Sequence, residues 1–232
     1  MQSAAHPDHG TATWAWLARL VTLTSLFALV GLAACSSTEP SPASRLATST
    51  SRAASPPTSR VVEPPSASRE TAVLAGGCFW GMEEILRQVP GVLETEVGYA
   101  GGTTEAPTYE DVKTGTTGHA EAVRVVFDPS KLTYRELLEG WFFRMHDPTT
   151  RDRQGNDVGS SYRSAIFTTS AEQKRVAEEV RAKVDASGKW KSPVVTEITP
   201  AGPFTPAEDY HQDYLQKTPG GYTCHYLREH TY

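Results

Sequence analysis

The chain is predicted to fold as an α+β domain, a ferredoxin-like, split βαβ two-layer sandwich with additional helices and a strand, preceded by a signal peptide and a disordered tether. Three observations predict it. Composition changes abruptly near residue 70. Beyond that point, short runs of strand type at 71–75, 92–99, 120–127, 162–168 and 193–199 alternate with stretches of helical period. Three Ser/Thr-x-x-Glu/Gln sequences mark helix starts. From residue 71 the order is β-α-β-β-α-β, then further α, β and α elements, which places helices on one face of a sheet.

LVTLTSLFALVGLAAC at 20–35 is apolar or small throughout, follows Arg19 and ends at Cys35. It suits a signal-peptide core and falls short of the roughly 20 residues that span a bilayer. Leu32-Ala33-Ala34-Cys35 resembles a bacterial lipobox, with Cys35 the lipid attachment point. An uncleaved anchor, or cleavage elsewhere, are the other readings. Residues 36–70 hold ten Ser and six Pro with no Gly, Cys or aromatic residue. Such a segment buries too little apolar surface to offset its ordering entropy and is expected to be a disordered tether. The expected organisation is therefore signal peptide 1–35, tether 36–70 and one folded domain at 71–232, of a size that fits a single core. That domain carries 17 Lys and Arg against 23 Asp and Glu, with no basic run, so a nucleic-acid partner is not expected.

Within the domain, TAVLA (71–75) reads as a buried strand, and GGCFWGMEE (76–84) follows at once. Phe79, Met82, Ile85, Leu86 and Val89 recur with helical spacing. Cys78 thus sits at a strand-to-helix turn, where free amides and the helix dipole favour an anion, and the thiolate is expected to be more accessible. Two glycines before it permit a tight turn. A nucleophile is favoured over the alternative of a buried cysteine acting as a small hydrophobe.

Further along, AEAVRVVF (120–127) alternates so that Glu121 shares a face with Val123, Val125 and Phe127. A carboxyl on an apolar face is desolvated and its pKa rises, as a general acid requires; from the strand alone, an exposed strand end is equally consistent. Thr133 to Glu136 reads as a capping box ahead of Leu137, Leu138, Trp141, Phe142 and Met145. Ser170 to Gln173 repeats it before Val176, Val180 and Val184, and Thr205 to Glu208 does so a third time with Pro206 at the first helical position. The end of the chain, TPGGYTCHYLREHTY, has neither helical nor strand period and contains Cys224. His119 reads as structural, and His211, His225 and His230 lack zinc-ligand spacing with Cys224, so no metal is expected.

These motifs resemble those of the A-type peptide-methionine sulfoxide reductases. GCFWGMEE, GYAGG (98–102), PTYEDV (107–112), GHAEAV (118–123), HDPT (146–149), RQGNDVGSSYRSAIF (153–167) and AEDYHQDYL (207–215) occur in the family's order over about residues 71–227. The resemblance implies Cys78 as nucleophile and Glu121 as the acid that protonates the sulfoxide oxygen. It implies Tyr109, Tyr162 and Asp157 as groups that hold substrate and its oxygen, with Phe79 and Trp80 around the S-methyl group. It further implies the S-epimer of methionine sulfoxide as substrate, free or in oxidised proteins and peptides, and no bound cofactor. Cys78 would become a sulfenic acid, Cys224 would convert it to a disulfide, and a thioredoxin or thioredoxin-like dithiol would reduce that disulfide. Some members carry a second tail cysteine, and some a cysteine where this chain has Gly115; a one-step relay through a mobile tail is expected here. With Cys35 lipidated, the protein is expected in the bacterial cell envelope, held to a membrane by its anchor and acting as a monomer. A thiol peroxidase, a structural 78–224 disulfide and an inactive tethered binding module are the competing readings.

Overall fold

The computed structural model describes residues 68–232; the expected signal peptide with Cys35, and the expected tether up to residue 67, lie outside the described residues. The first strand, β1 (Glu70–Gly76), starts one residue ahead of the expected boundary. It is followed by α1 (Phe79–Arg87), β2 (Val92–Ala100), α2 (Tyr109–Lys113) and β3 (Ala120–Phe127). A helical run then comprises α3 (Tyr134–Leu137), a π-helical stretch Leu138–Phe142, and α4 (Phe143–Met145). The hairpin β4 (Arg153–Gln154) and β5 (Asp157–Val158) leads into β6 (Ser164–Thr168) and α5 (Ala171–Ala186). The chain continues through β7 (Glu197–Pro200), β8 (Phe204–Pro206) and α6 (Tyr214–Lys217).

Six strands form one sheet in the order β7-β6-β1-β3-β2-β8. The inner four run fourth, first, third, second in chain order, all antiparallel, which is the split βαβ core. Strand β7 extends one edge in parallel with β6, and β8 extends the other in antiparallel pairing with β2.

Pleat alternation decides what each face carries. Ala72, Leu74, Val97, Tyr99, Val123, Val125, Phe127 and Ile166 point to the face that α1, the 134–145 run and α5 cover with Met82, Leu86, Leu137, Phe142, Val176 and Val180. The other face presents Val73, Ala75, Ala100, Ala120, Ala122 and Ala165, a thinner layer packed beneath Ala201 and Phe204. Burying each large side chain of the first group contributes about 1.5–3 kcal/mol, so the helical face holds most of the core. Among the described residues no helix is long and apolar enough to cross a membrane.

Several sequence expectations are corrected by the structure. No helix starts at Thr205: Thr205 and Pro206 lie in β8, paired with Tyr99 and Gly98. Pro206 is tolerated because β8 is an edge strand, and Glu208 is drawn inward by other partners, described below. The strand expected at 162–168 begins at Ser164, because Ser160–Tyr162 form a 3₁₀ turn, and the one expected at 193–199 is confined to Glu197–Pro200. At Thr133 the capping box is complete. At Ser170 it is half made: Ser170 accepts from the Gln173 amide, while the Gln173 side chain turns to Thr169 and to the Thr71 carbonyl. The π-helical turn after Leu137 explains why neighbours such as Leu137 with Leu138 and Phe142 with Phe143 are all buried: the wider turn carries the apolar face around the helix. Helix α2 was not expected, although Thr108 and Asp111 form a full capping box at its start.

Candidate active site

Cys78 is the N-cap residue of α1, placed there by two adjacent constraints. Gly77 has φ +113°, a conformation that side chains resist, and a Cβ there would meet the Gln154 side chain at 2.5 Å. One turn into the helix, Gly81 is just as confined: a Cβ would lie 2.1 Å from Thr223 Oγ1 and 2.8 Å from His225 Nδ1. The glycines of GGCFWG therefore do more than loosen the turn. They leave the notch into which the end of the chain docks.

Cys78 is 6 % exposed. Burial pushes its thiol well above the ordinary value, and the charge of Glu121 adds to this, while the Trp80 amide pulls the other way. The expectation that the helix start would make the thiolate more accessible is thus corrected: one amide acts in that direction, and desolvation outweighs it. Cys78 rests as a thiol and ionises only when chemistry draws off its proton.

Glu121 lies opposite Tyr99 in the β2–β3 ladder, on the helical face of the sheet. It is 3 % exposed and accepts a hydrogen bond from the Phe79 amide at 3.0 Å, which sets its carboxyl one residue from Cys78. Burial raises its pKa to about 8, against the lowering pull of the Phe79 amide, and Asp157 raises it further. At neutral pH the carboxyl is a proton donor.

Tyr109 and Tyr162 converge on the same spot. Both have raised pKa values, first through burial and then through the charge of Glu121, and Cys78 acts on each. Both phenols therefore stay protonated, as hydrogen-bond donors. Tyr109 opens α2, and its amide donates to Glu208 at 2.8 Å; Glu208 also accepts from the Tyr99 hydroxyl at 2.8 Å. Glu208, which the sequence alone places in a capping box, is instead the anchor that fixes Tyr109. Its partners are 99 and 109 residues away in sequence, so no local pattern signals the role.

Phe79 is buried in the core, 1 % exposed, whereas Trp80 is only half-buried and stacks on Tyr214 at 3.8 Å between ring centroids. The Trp80 indole donates to His211 Nδ1 at 3.0 Å, and His211 packs against Phe79, Tyr109 and Tyr210. These rings form an aromatic wall beside Cys78. His211, which the sequence reading considered only as a metal ligand, belongs to that wall. His119 is buried against Gly102 instead.

Asp157, in β5, acts electrostatically on Cys78, Glu121 and Cys224 and accepts from the Tyr222 hydroxyl at 3.0 Å. Cys224 is half-buried, close enough to the Cys78 amide for that amide to favour its thiolate, and both cysteines are free thiols. Burial and Asp157 nevertheless push the Cys224 thiol up to about 12. The expected loose tail is instead tied down at several points. Arg144 Nε donates to the Arg228 carbonyl at 2.8 Å, Arg228 donates to the His146 carbonyl at 2.9 Å, and the Tyr232 hydroxyl donates to the Phe143 carbonyl at 2.7 Å. The open clefts at Glu94, Arg124 and Asp213, and at Glu70, Tyr134 and Gln173, lie elsewhere and include none of these groups.

The structure thus brings Cys78, Glu121, Tyr109, Tyr162, Asp157 and Cys224 to one place, with Trp80 at its side. Two thiols flanked by a neutral carboxyl and two phenols have the makings of a thiol-based redox centre that protonates the oxygen of its substrate.

Comparison with known proteins defines the kind. The model of the peptide methionine sulfoxide reductase family matches residues 70–231. The peptide methionine sulfoxide reductase MsrA of Nocardia farcinica is 60 % identical over 157 residues, covering 68 % of this chain and 89 % of that protein. MsrA 1 of Mesorhizobium japonicum is 61 % identical over 161 residues, covering 69 % and 91 %. Among solved structures, reduced Mxr1 from Saccharomyces cerevisiae is 37 % identical with a TM-score of 0.66, covering 73 % of this chain and 98 % of that one. Methionine sulfoxide reductase A of Corynebacterium diphtheriae is 42 % identical with a TM-score of 0.61, covering 68 % and 79 %. The chain belongs to the peptide methionine sulfoxide reductase family and is an oxidoreductase of that kind.

Proposed function

We propose that the protein reduces the S-epimer of methionine sulfoxide, free or in oxidised proteins, with Cys78 as nucleophile, Glu121 as acid and Cys224 as resolving thiol. The polarised S–O bond yields only when its oxygen is protonated. Glu121 supplies that proton, Tyr109 and Tyr162 donate hydrogen bonds to the oxygen, and the Cys78 sulfur attacks the sulfoxide sulfur. Oxygen passes to Cys78, the sulfoxide leaves as the thioether, and the proton lost from Cys78 restores Glu121. Sulfur in the substrate gains two electrons and Cys78 loses two, becoming a sulfenic acid. Cys224 then attacks that sulfur, forming the 78–224 disulfide and releasing water. A thioredoxin-like dithiol reduces the disulfide by exchange and is itself oxidised. Trp80, with Phe79 behind it, packs against the S-methyl group, and Asp157 holds substrate and nearby donors.

The observation that carries this reading is the Glu121 carboxyl, buried at the helix start of Cys78 and neutral below about pH 8. The test is turnover on separated R and S sulfoxide epimers with dithiothreitol. Turnover of the S form alone is expected; turnover of neither, or hydrogen peroxide consumption without sulfoxide reduction, sinks the reading.

The same proposal places the protein, as a monomer, in a bacterial cell envelope, anchored by lipid on Cys35 and spaced from the membrane by residues 36–70. Its support is the apolar run ending in Leu-Ala-Ala-Cys and the Ser/Pro-rich stretch after it. Cys35→Ala should shift the protein out of the membrane fraction or leave an unprocessed precursor. Mature protein that stays in the membrane fraction would rule out the lipid anchor.

A further inference from the structure

We propose that His225 is the proton acceptor that activates Cys224 for disulfide formation. The inference rests on the reading of Cys224 as the resolving thiol.

Its basis is the orientation of one imidazole ring. His225 is buried, with Nε2 2.8 Å from the Gly76 carbonyl oxygen. A carbonyl only accepts, so Nε2 must carry the hydrogen, and the neutral ring is left with its lone pair on Nδ1. That atom lies 3.4 Å from Cys224 Sγ. Nδ1 is therefore placed to accept the Cys224 proton, with the tautomer set by the backbone of the strand that leads into Cys78. Burial holds the ring neutral, consistent with this assignment.

The resolving step needs such a group. Burial and Asp157 hold Cys224 as the thiol at neutral pH, and the thiol itself is a poor nucleophile. Asp157 is the other group against Cys224. It accepts from Tyr222 and is a second acceptor for the Cys224 thiol, but that hydrogen bond and its negative charge both hold Cys224 as a thiol and oppose a thiolate beside it. The same charge favours an imidazolium on His225, while Arg228 opposes one. His146 is the remaining titratable group that acts on His225. It is buried and neutral, with Nδ1 bonded to the Phe142 carbonyl and Nε2 to Ser164.

The step balances without another reagent. As the Cys224 sulfur bonds to the Cys78 sulfur, its proton moves to Nδ1. The S–O bond of the sulfenic acid breaks, hydroxide departs, and the proton on Nδ1 completes a water molecule. The sulfenic sulfur is reduced, the Cys224 sulfur is oxidised, and His225 is regenerated in its starting tautomer. The ring reaches this position because Gly77 and Gly81 lack side chains: a Cβ on Gly77 would meet its Cε1 at 3.1 Å, and one on Gly81 its Nδ1 at 2.8 Å.

The experiment follows a single turnover of the full-length protein on methionine sulfoxide. A 1,3-dicarbonyl probe traps the sulfenic acid, and mass spectrometry follows its conversion to the 78–224 disulfide. Conversion per sulfenic acid formed should slow roughly 10²-fold in His225→Ala and in His225→Asn, the lower end of what general base catalysis supplies. Added imidazole should restore much of it in His225→Ala, because the vacated notch admits the free base. Parental conversion in His225→Asn, or a loss in His225→Ala that imidazole leaves untouched, would overturn the proposal and make His225 a packing residue. Nitrogen NMR of the intact reduced protein is an independent check, and a proton on Nδ1 rather than Nε2 would also overturn it. If the parent protein forms no 78–224 disulfide at all, the underlying assignment of Cys224 fails instead.

Discussion

Cys78 and Cys224 meet at one site but are put there by different means. Cys78 is held by secondary structure on both sides, between a central strand of the sheet and a helix whose inner face is core. Cys224 sits in a segment with no regular structure, held by separate bonds from the His225, Arg228 and Tyr232 side chains to backbone carbonyls at 76, 146 and 143. A residue placed by the sheet moves only if the sheet moves. One placed by a few side-chain anchors can be displaced by losing any of them. Cys78 is thus pre-organised by the whole fold, while the position of Cys224 depends on a few side-chain anchors.

That contrast can be broken or sharpened by experiment. The largest effect is expected for Cys78→Ser, which should abolish reduction because a hydroxyl cannot form the sulfenic acid. Cys224→Ser should still release about one methionine per enzyme in the first turnover and then stall with a thioredoxin-type donor. Equal loss of the first turnover in both variants would merge the two roles into a structural disulfide.

Next comes Glu121→Gln, with turnover lower by roughly 10²–10⁴, the usual scale for a general acid. Because the Glu121 pKa is raised, to about 8, the acid form is present below that pH and is lost as pH rises through it. The first-turnover rate of the parent should therefore fall above about pH 8, and that of Glu121→Gln should lack this limb. Linkage has the same sign: the folded state keeps a proton that the unfolded state gives up, so this residue's contribution to stability declines as pH climbs from the ordinary carboxylate range to about 8. A pH–rate profile with the same limb in both proteins assigns it to another group.

Gly81→Ala tests the docking notch. The added methyl would press into Thr223 and His225, so disulfide formation should slow by about tenfold or more while α1 keeps its helix, Ala being the better helix former by about 1 kcal/mol. Circular dichroism with the single-turnover disulfide assay reads both parts. Unchanged disulfide kinetics would mean that the segment reaches Cys78 by another route.

The smallest effect is expected for Tyr232→Phe. It removes the hydrogen bond to the Phe143 carbonyl and the acceptor for Trp190, at a cost of about 1–2 kcal/mol. The melting temperature should fall by a few degrees, with a modest slowing of the disulfide step and little change in methionine release.

Legibility in the sequence follows the same division. The strand containing Glu121 and the helix after Cys78 were readable because alternation and helical period are local signals, and burial of one face follows directly from them. The cap at Thr108 is an equally local signal, a Thr-x-x-Asp box at the start of α2. Thr205 to Glu208 matched a helix start and forms none, since pairing with β2 claims Thr205 and Pro206 while Tyr99 and Tyr109 claim Glu208. His211 and His225 carry no local mark at all. Each is defined by an atom of a segment more than a hundred residues away, the Trp80 indole for one and the Gly76 carbonyl for the other.

By itself the sequence determined the elements whose apolar residues repeat at a fixed period, the helix start that presents Cys78 and the apolar strand face that carries Glu121. Short-range sterics and side-chain alternation suffice for those. Only the tertiary structure decided the protonation states, because desolvation depends on what covers a group. It is the covering of Cys78 that outweighs the helix-start amide, and the covering of Glu121 that keeps it a donor to about pH 8. The tertiary structure also decided that Cys224 meets Cys78, through a glycine notch and the docking of His225 on the Gly76 carbonyl, which no periodicity encodes.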